Sequence, residues 1–132
     1  SYQRRPEPIR FFFPQAFTGT CTTELCSIRD NYNVYKLLNT EIVGISVDSL
    51  FTLGAYKKDQ NLNFDLLSDF NKAICKAYDS YLEDFVFGMK GVSKRSSFVI
   101  DKQGVIRFAE VLDVAGDYPN FDGIKNSLKS LV

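Results

Sequence analysis

The stretch from Phe11 to Cys26 constrains this chain most. It opens with Phe11-Phe12-Phe13, passes through Pro14-Gln15-Ala16-Phe17-Thr18-Gly19-Thr20, and reaches Cys21 and then Cys26. Consecutive phenylalanines without polar alternation fit a strand covered on both faces. The turn residues that follow end the strand and start a helix with Cys21 in its first turn. A helix start presents unpaired N–H groups and partial positive charge, a setting that favours the thiolate form of a cysteine. The reactive chemistry of the chain is expected here.

Composition narrows that chemistry. The sequence of 132 residues is expected to form one domain, residues 1–132. Its 16 basic and 16 acidic residues cancel, so no overall field points to nucleic acid or an anionic membrane. No apolar run approaches the roughly 20 residues that span a bilayer. The opening Ser1-Tyr2-Gln3-Arg4-Arg5-Pro6 lacks the apolar region of a signal peptide, and 3 unevenly spaced cysteines do not resemble a secreted disulfide scaffold. A reducing, cytoplasmic setting is expected. Histidine is absent, which removes Cys-His and Ser-His-Asp catalysis and His-ligated metals. A nucleophile here must rely on fixed positive charge and backbone dipoles.

Along the chain, Pro6 and Pro8 argue against an early strand, so the first one is expected near Ile9. Leu25, Ile28, Tyr32, Tyr35 and Leu38 recur at helical steps, predicting one helix from Gly19 to about Leu38. Glu41–Val47 reads as a buried strand, and Asp48-Ser49 as the cap of a helix to about Lys58. A short strand at Phe64–Leu67 is expected before a helix capped by Asp69 and running through Ile74, Cys75 and Tyr78. Leu82–Lys94 has no clean period and reads as a long loop, lying on something apolar through Phe85, Phe87 and Met89. Ser96–Ile100, the turn Asp101–Gly104 and Val105–Val111 form a hairpin. Phe121–Leu131 closes the chain as an amphipathic helix with Ile124, Leu128 and Leu131 on its apolar face. This order predicts an α/β fold, a mixed central sheet with helices on both faces.

Pro14-x-x-x-Thr18-x-x-Cys21, in a strand–turn–helix context, resembles the active-site motif of the peroxiredoxins. These are thioredoxin-fold thiol peroxidases of the alkyl-hydroperoxide-reductase/thiol-specific-antioxidant group. Phe12-Phe13-Pro14, Ala16-Phe17-Thr18, Cys21-Thr22, Glu24-Leu25 and Arg29-Asp30 also resemble the family. So do Gly44-Ile45-Ser46-Val47-Asp48-Ser49, Leu66-Leu67-Ser68-Asp69 and Arg95 ahead of Phe98-Val99-Ile100-Asp101. The likeness runs from Phe11 to the C-terminus and is similar to the bacterioferritin-comigratory-protein/PrxQ and AhpE-like branches.

The resemblance implies a thioredoxin-like fold and a hydroperoxide reductase needing no cofactor or metal. Its peroxidatic cysteine falls on Cys21, its threonine on Thr18, its proline on Pro14 and its arginine on Arg95. Arg95 would set a permanent cation beside the sulfur, Thr18 would hydrogen-bond sulfur or peroxide, and Pro14 would shield the pocket. Glu24, one turn beyond Cys21, would orient Arg95. Cys26 matches the resolving cysteine of PrxQ-like members, with thioredoxin or a similar dithiol as reductant and a monomer or homodimer as the working form. Two residues five apart in a helix have Cα atoms about 8.6 Å apart on faces about 140° apart, and a disulfide wants less than roughly 7 Å. A Cys21–Cys26 bond therefore requires the helix to unwind. Family members carry a segment before this strand where only about ten residues stand here, so the domain is expected to be N-terminally short, exposing sheet edge and apolar surface.

Other readings stand beside this one. Cys26 also suits the helix's apolar stripe as an inert core residue, and Cys75 reads as structural. Arg95 also reads as a surface charge and Glu24 as a helix-start charge. Phe85 and Phe87 suit packing or an interface. A one-cysteine peroxidase, or a thioredoxin-fold thiol-disulfide or binding protein without peroxidase activity, are the alternative functions. An electron-transfer protein of the thioredoxin kind would carry Cys-x-x-Cys, and this chain carries Cys-x-x-x-x-Cys.

Overall fold

The computed structural model describes residues 7–38 and 40–131, the side chains of residues 7 and 8 excepted; the opening residues 1–6 lie outside it. The first strand, β1 (Glu7–Phe12), sits at the centre of a five-stranded sheet. It pairs in parallel with β2 (Thr40–Ser46) on one side and antiparallel with β6 (Ser96–Ile100) on the other. β3 (Asp65–Ser68) lies outside β2 and β7 (Ile106–Val111) outside β6, giving the order β3-β2-β1-β6-β7. The mixed central sheet expected from the sequence is present. β1 starts earlier than Ile9, however, with Pro8 in register with Glu41 of β2. The β6 register begins only at Ile9, so the proline falls where β1 has a neighbour on one side and its missing N–H is tolerated.

The phenylalanine run is buried on both faces, as its lack of alternation demands. Ile9, Phe11 and Phe13 point into the larger core, where α1 (Gly19–Asp30) supplies Leu25 and Ile28, α2 (Tyr32–Leu37) Tyr35, α3 (Leu50–Asp59) Leu53 and Tyr56, and α5 (Phe121–Ser130) Ile124 and Leu128. Phe12 points the other way, into a smaller core with Ile45, Phe98 and Cys75 of α4 (Ala73–Ala77). Cys75 is fully buried, and burial together with Asp69 pushes its thiol up to about 11, in keeping with a structural cysteine. Ile74, expected beside it, is exposed, and so is Leu131, just past the end of α5.

Two further elements differ from expectation. The helix predicted from Gly19 to Leu38 breaks at Asn31, whose backbone leaves helical geometry and whose side-chain amide donates to the Ser27 carbonyl. The apolar stripe continues through α2, which is why periodicity alone hid the break. The predicted loop 82–94 is instead a hairpin, β4 (Tyr81–Asp84) and β5 (Lys90–Ser93), closed by a short 3-10 turn at Val86–Gly88. Gly88 and Gly91, read as loop markers, hold the positive φ values of 75° and 81° that this bent ribbon needs. Phe87 at its tip does not lie on an apolar surface: it is 96% exposed. Among the described residues, no helix is long and apolar enough to cross a membrane.

Candidate active site

The end of β1 feeds directly into the cysteine helix. After Phe12 the chain turns through Pro14, which is buried, to Thr18, which stands at the N-cap of α1 in extended geometry. The Thr22 N–H donates to the Thr18 carbonyl at 2.9 Å and starts the helix. Cys21 thus lies in the first turn, as the sequence predicts, with its side chain buried. The Thr18 hydroxyl does not cap the helix; it donates to the Gln15 carbonyl at 2.8 Å. Its expected bond to the sulfur is not made here, because the hydroxyl is already occupied in closing the loop.

Arg95 completes the arrangement from far along the chain. It immediately precedes β6, and β6 pairs antiparallel with β1 so that Ser96 faces Phe12. That register sets Arg95 beside the loop leaving β1. Its Nη1 lies 3.3 Å from Cys21 Sγ and 2.6 Å from Glu24 Oε1, while its Nη2 donates to the Ala115 carbonyl at 2.7 Å. Cys21, Glu24 and Arg95 are each at most 1% exposed. The reading of Arg95 as a surface charge is therefore set aside.

The electrostatics of this group are those of a buried ion pair. Burial drives the Glu24 carboxyl up to about 7, with the Arg95 guanidinium pulling the other way. Burial works against the Arg95 charge, but Glu24 and Cys21 outweigh it and the guanidinium is held more firmly protonated. Glu24 Oε2 and Arg95 Nε have no protein hydrogen-bond partner, a desolvation cost concentrated at this site. Cys26 stands apart from the group. It is half-buried further along α1, with Sγ 3.5 Å from Gln60 Oε1. Cys21, Cys26 and Cys75 are all free thiols. Among the described residues, no group of three or more potential metal ligands comes together.

Comparisons with known proteins give the family and the fold. The sequence pattern of the AhpC/TSA family matches residues 9–109. This chain belongs to that family. Peroxiredoxins are among its relatives: it is 36% identical over 110 residues to the chloroplastic 2-Cys peroxiredoxin BAS1 of Spinacia oleracea, covering 78% of this chain and 40% of the relative. It is likewise 36% identical over 110 residues to a putative peroxiredoxin of Synechocystis, 78% of this chain and 52% of that one. The chain thus spans about half or less of the length of these relatives. Among solved structures, Xanthomonas campestris peroxiredoxin Q superposes with a TM-score of 0.80 at 27% identity, over 95% of this chain and 78% of that one. The fold is also that of the BcpB peroxidoxin of Mycobacterium tuberculosis, with a TM-score of 0.82 at 24% identity over 95% and 79% of the two chains.

Three residues of this candidate site lie outside the sequence reading of it. Asp48, expected as part of a helix cap and of a family-like stretch but given no role at the site, accepts from the Ala16 N–H at 2.8 Å and from the Ser46 hydroxyl at 2.6 Å, tying the cysteine loop to the end of β2. Ser49 is the cap, accepting from Thr52. Ala115 acts through its backbone, which no side-chain pattern can reveal. Tyr56 reaches the first turn of α1 from α3, and only its apolar period would have marked it as core.

Proposed function

We propose that this chain is a thiol-dependent peroxidase in which Cys21 reduces hydrogen peroxide or an organic hydroperoxide. One observation carries the reading: a buried guanidinium 3.3 Å from the sulfur of a first-turn cysteine and 2.6 Å from a buried carboxylate. The thiolate sulfur attacks one peroxide oxygen and the O–O bond breaks. The other oxygen leaves with a proton as water or an alcohol, and Cys21 becomes a sulfenic acid. Arg95 holds positive charge where the thiolate and the polarised peroxide need it. Glu24 and the Ala115 carbonyl keep the guanidinium oriented. Pro14 shields the loop side of the pocket, and Thr18 fixes the loop's turn.

In the two-cysteine cycle we favour, the Cys26 sulfur attacks the Cys21 sulfenic sulfur and water departs, leaving a disulfide. Thioredoxin or a similar dithiol then returns both thiols. Free cysteines suit a reducing compartment such as the cytoplasm. A peroxide-consumption assay with thioredoxin tests the reading. Cys21→Ser is expected to abolish turnover, and Cys26→Ser to allow one turnover without recycling. Undiminished turnover in Cys21→Ser would remove the peroxidase reading. A sulfenic acid that lingers in the native protein after one equivalent of peroxide would mark a one-cysteine cycle.

A further inference from the structure

Tyr56 is fully buried on α3, yet its hydroxyl shares a 2.8 Å hydrogen bond with Thr22, the neighbour of Cys21 in the first turn of α1. Its ring packs on Phe17 with centroids 4.8 Å apart and on Phe13 at 6.3 Å. Phe17 stands in the cysteine loop with φ at 63°, a left-handed conformation that a bulky side chain keeps only when its surroundings hold it there. Tyr56 therefore touches the end of β1, the strained loop and the turn carrying the nucleophile. Burial raises its phenol to about 12, so the hydroxyl keeps its proton.

The far half of α1 is held by different contacts. Arg29 Nη1 donates to the Gln60 carbonyl at 2.6 Å, and the Asn63 side-chain amide donates to the Arg29 carbonyl at 3.2 Å. The two halves of one helix are thus fastened separately: near Cys21 by Arg95, which meets Cys21 and Glu24, and by one neutral hydrogen bond from Tyr56 to Thr22 with an aromatic contact behind it.

We propose that Tyr56 is a positioning residue for Cys21: through Thr22 and Phe17 it holds the first turn of α1 wound and sets how often that turn opens toward Cys26. The chemical consequence rests on the peroxidase reading. With the turn wound, the sulfenic sulfur of Cys21 faces the pocket, where it attacks a second hydroperoxide. The O–O bond then breaks, sulfinic acid forms and water or an alcohol leaves. With the turn open, the Cys26 sulfur attacks the sulfenic sulfur, the S–S bond forms, the S–O bond breaks, and the oxygen leaves as water with the Cys26 proton. Tyr56 sets the partition between these two fates.

Tyr56→Phe keeps the ring and removes the hydroxyl; Thr22→Val keeps the β-branched shape and removes the other end of the bond. Loss of one neutral hydrogen bond corresponds to about a fivefold change in an opening equilibrium. In the reduced protein, amides of residues 22–25 are expected to exchange hydrogen about fivefold faster in either variant, with residues 27–30 unchanged. The double variant is expected to match the singles. After peroxide, mass spectrometry is expected to give a disulfide-to-sulfinate ratio about fivefold above that of the native protein. Native exchange rates in Thr22→Val, or a double variant that multiplies the two effects, would overturn the proposal. A native protein that leaves peroxide untouched overturns the peroxidase reading instead, and the exchange measurement still decides the role of Tyr56.

Discussion

Arg95 serves three acceptors with two terminal nitrogens: Cys21 Sγ, Glu24 Oε1 and the Ala115 carbonyl. Only a planar, forked cation does this in one rotamer. Lysine would keep the charge but lose the fork. We expect Arg95→Lys to lower kcat/KM for peroxide on the order of 100-fold, the usual cost of one preorganised donor, as stopped-flow oxidation of Cys21 would show; a value within twofold of native would refute the fork. Glu24 makes a separate prediction in pH. Its carboxyl, raised by burial from 4.5 to about 7, binds a proton more readily folded than unfolded. The folded state therefore loses stability as pH climbs through that window and carries the whole penalty above it. Glu24→Gln has no such proton to lose. Urea denaturation at pH 4.5 and pH 8 is expected to show the variant gaining on the native protein by on the order of 3 kcal/mol between the two. Parallel stability at both would mean the carboxyl titrates as it does unfolded.

At the scale of elements, what the sequence made legible follows from which signals are local. The strand carrying Phe11 and Phe12, the Ser49 cap and the Asp101–Gly104 turn are written in neighbouring residues, and each is present, the strand with an earlier start than expected. The hairpin β4–β5 leaves no sequence signal because its strands are short, their burial does not alternate along the chain, and its tip is apolar. A chain that pairs only with itself at the edge of a fold has no burial period to read. Asp69 shows the intermediate case. The sequence marks it as a cap, but it acts across a left-handed Lys72, reaching the Ile74 and Cys75 N–H groups at 3.0 and 2.7 Å. Because α4 has only 5 residues, it is too short to persist on backbone bonds alone. Asp69→Ala is expected to lower stability by about 1–2 kcal/mol and to expose Cys75 to thiol reagents. Unchanged Cys75 labelling would show that packing in the smaller core suffices to hold the helix.

Across the whole molecule, the site exists because β1 is central. Its end delivers Cys21 into α1, and its antiparallel partner delivers Arg95, which stands 74 residues away in sequence. Sequence alone gave that pairing only through family likeness, since no local pattern links residues so far apart. The same architecture decides where α1 would yield in the proposed two-cysteine cycle. Cys21 and Cys26 sit on one unbroken helix, Gly19–Asp30, and five residues along a helix put them about 8.6 Å apart, beyond the span of a disulfide. The C-terminal half is fastened to the turn after α3 by Arg29 and Asn63. The N-terminal half is held by Arg95 at Cys21 and Glu24 and by Tyr56 at Thr22, and in the proposed cycle oxidation of Cys21 removes the first of these contacts. Unwinding is therefore expected at the first turns and not at the last. After one equivalent of peroxide, helical circular dichroism is expected to fall and to return with dithiothreitol. Hydrogen exchange is expected to quicken over residues 19–25 while residues 27–30 stay protected. An oxidised protein with a Cys21–Cys26 bond and full helical signal would refute this. Faster exchange confined to residues 27–30 would mean that Cys26, not Cys21, is the partner that moves.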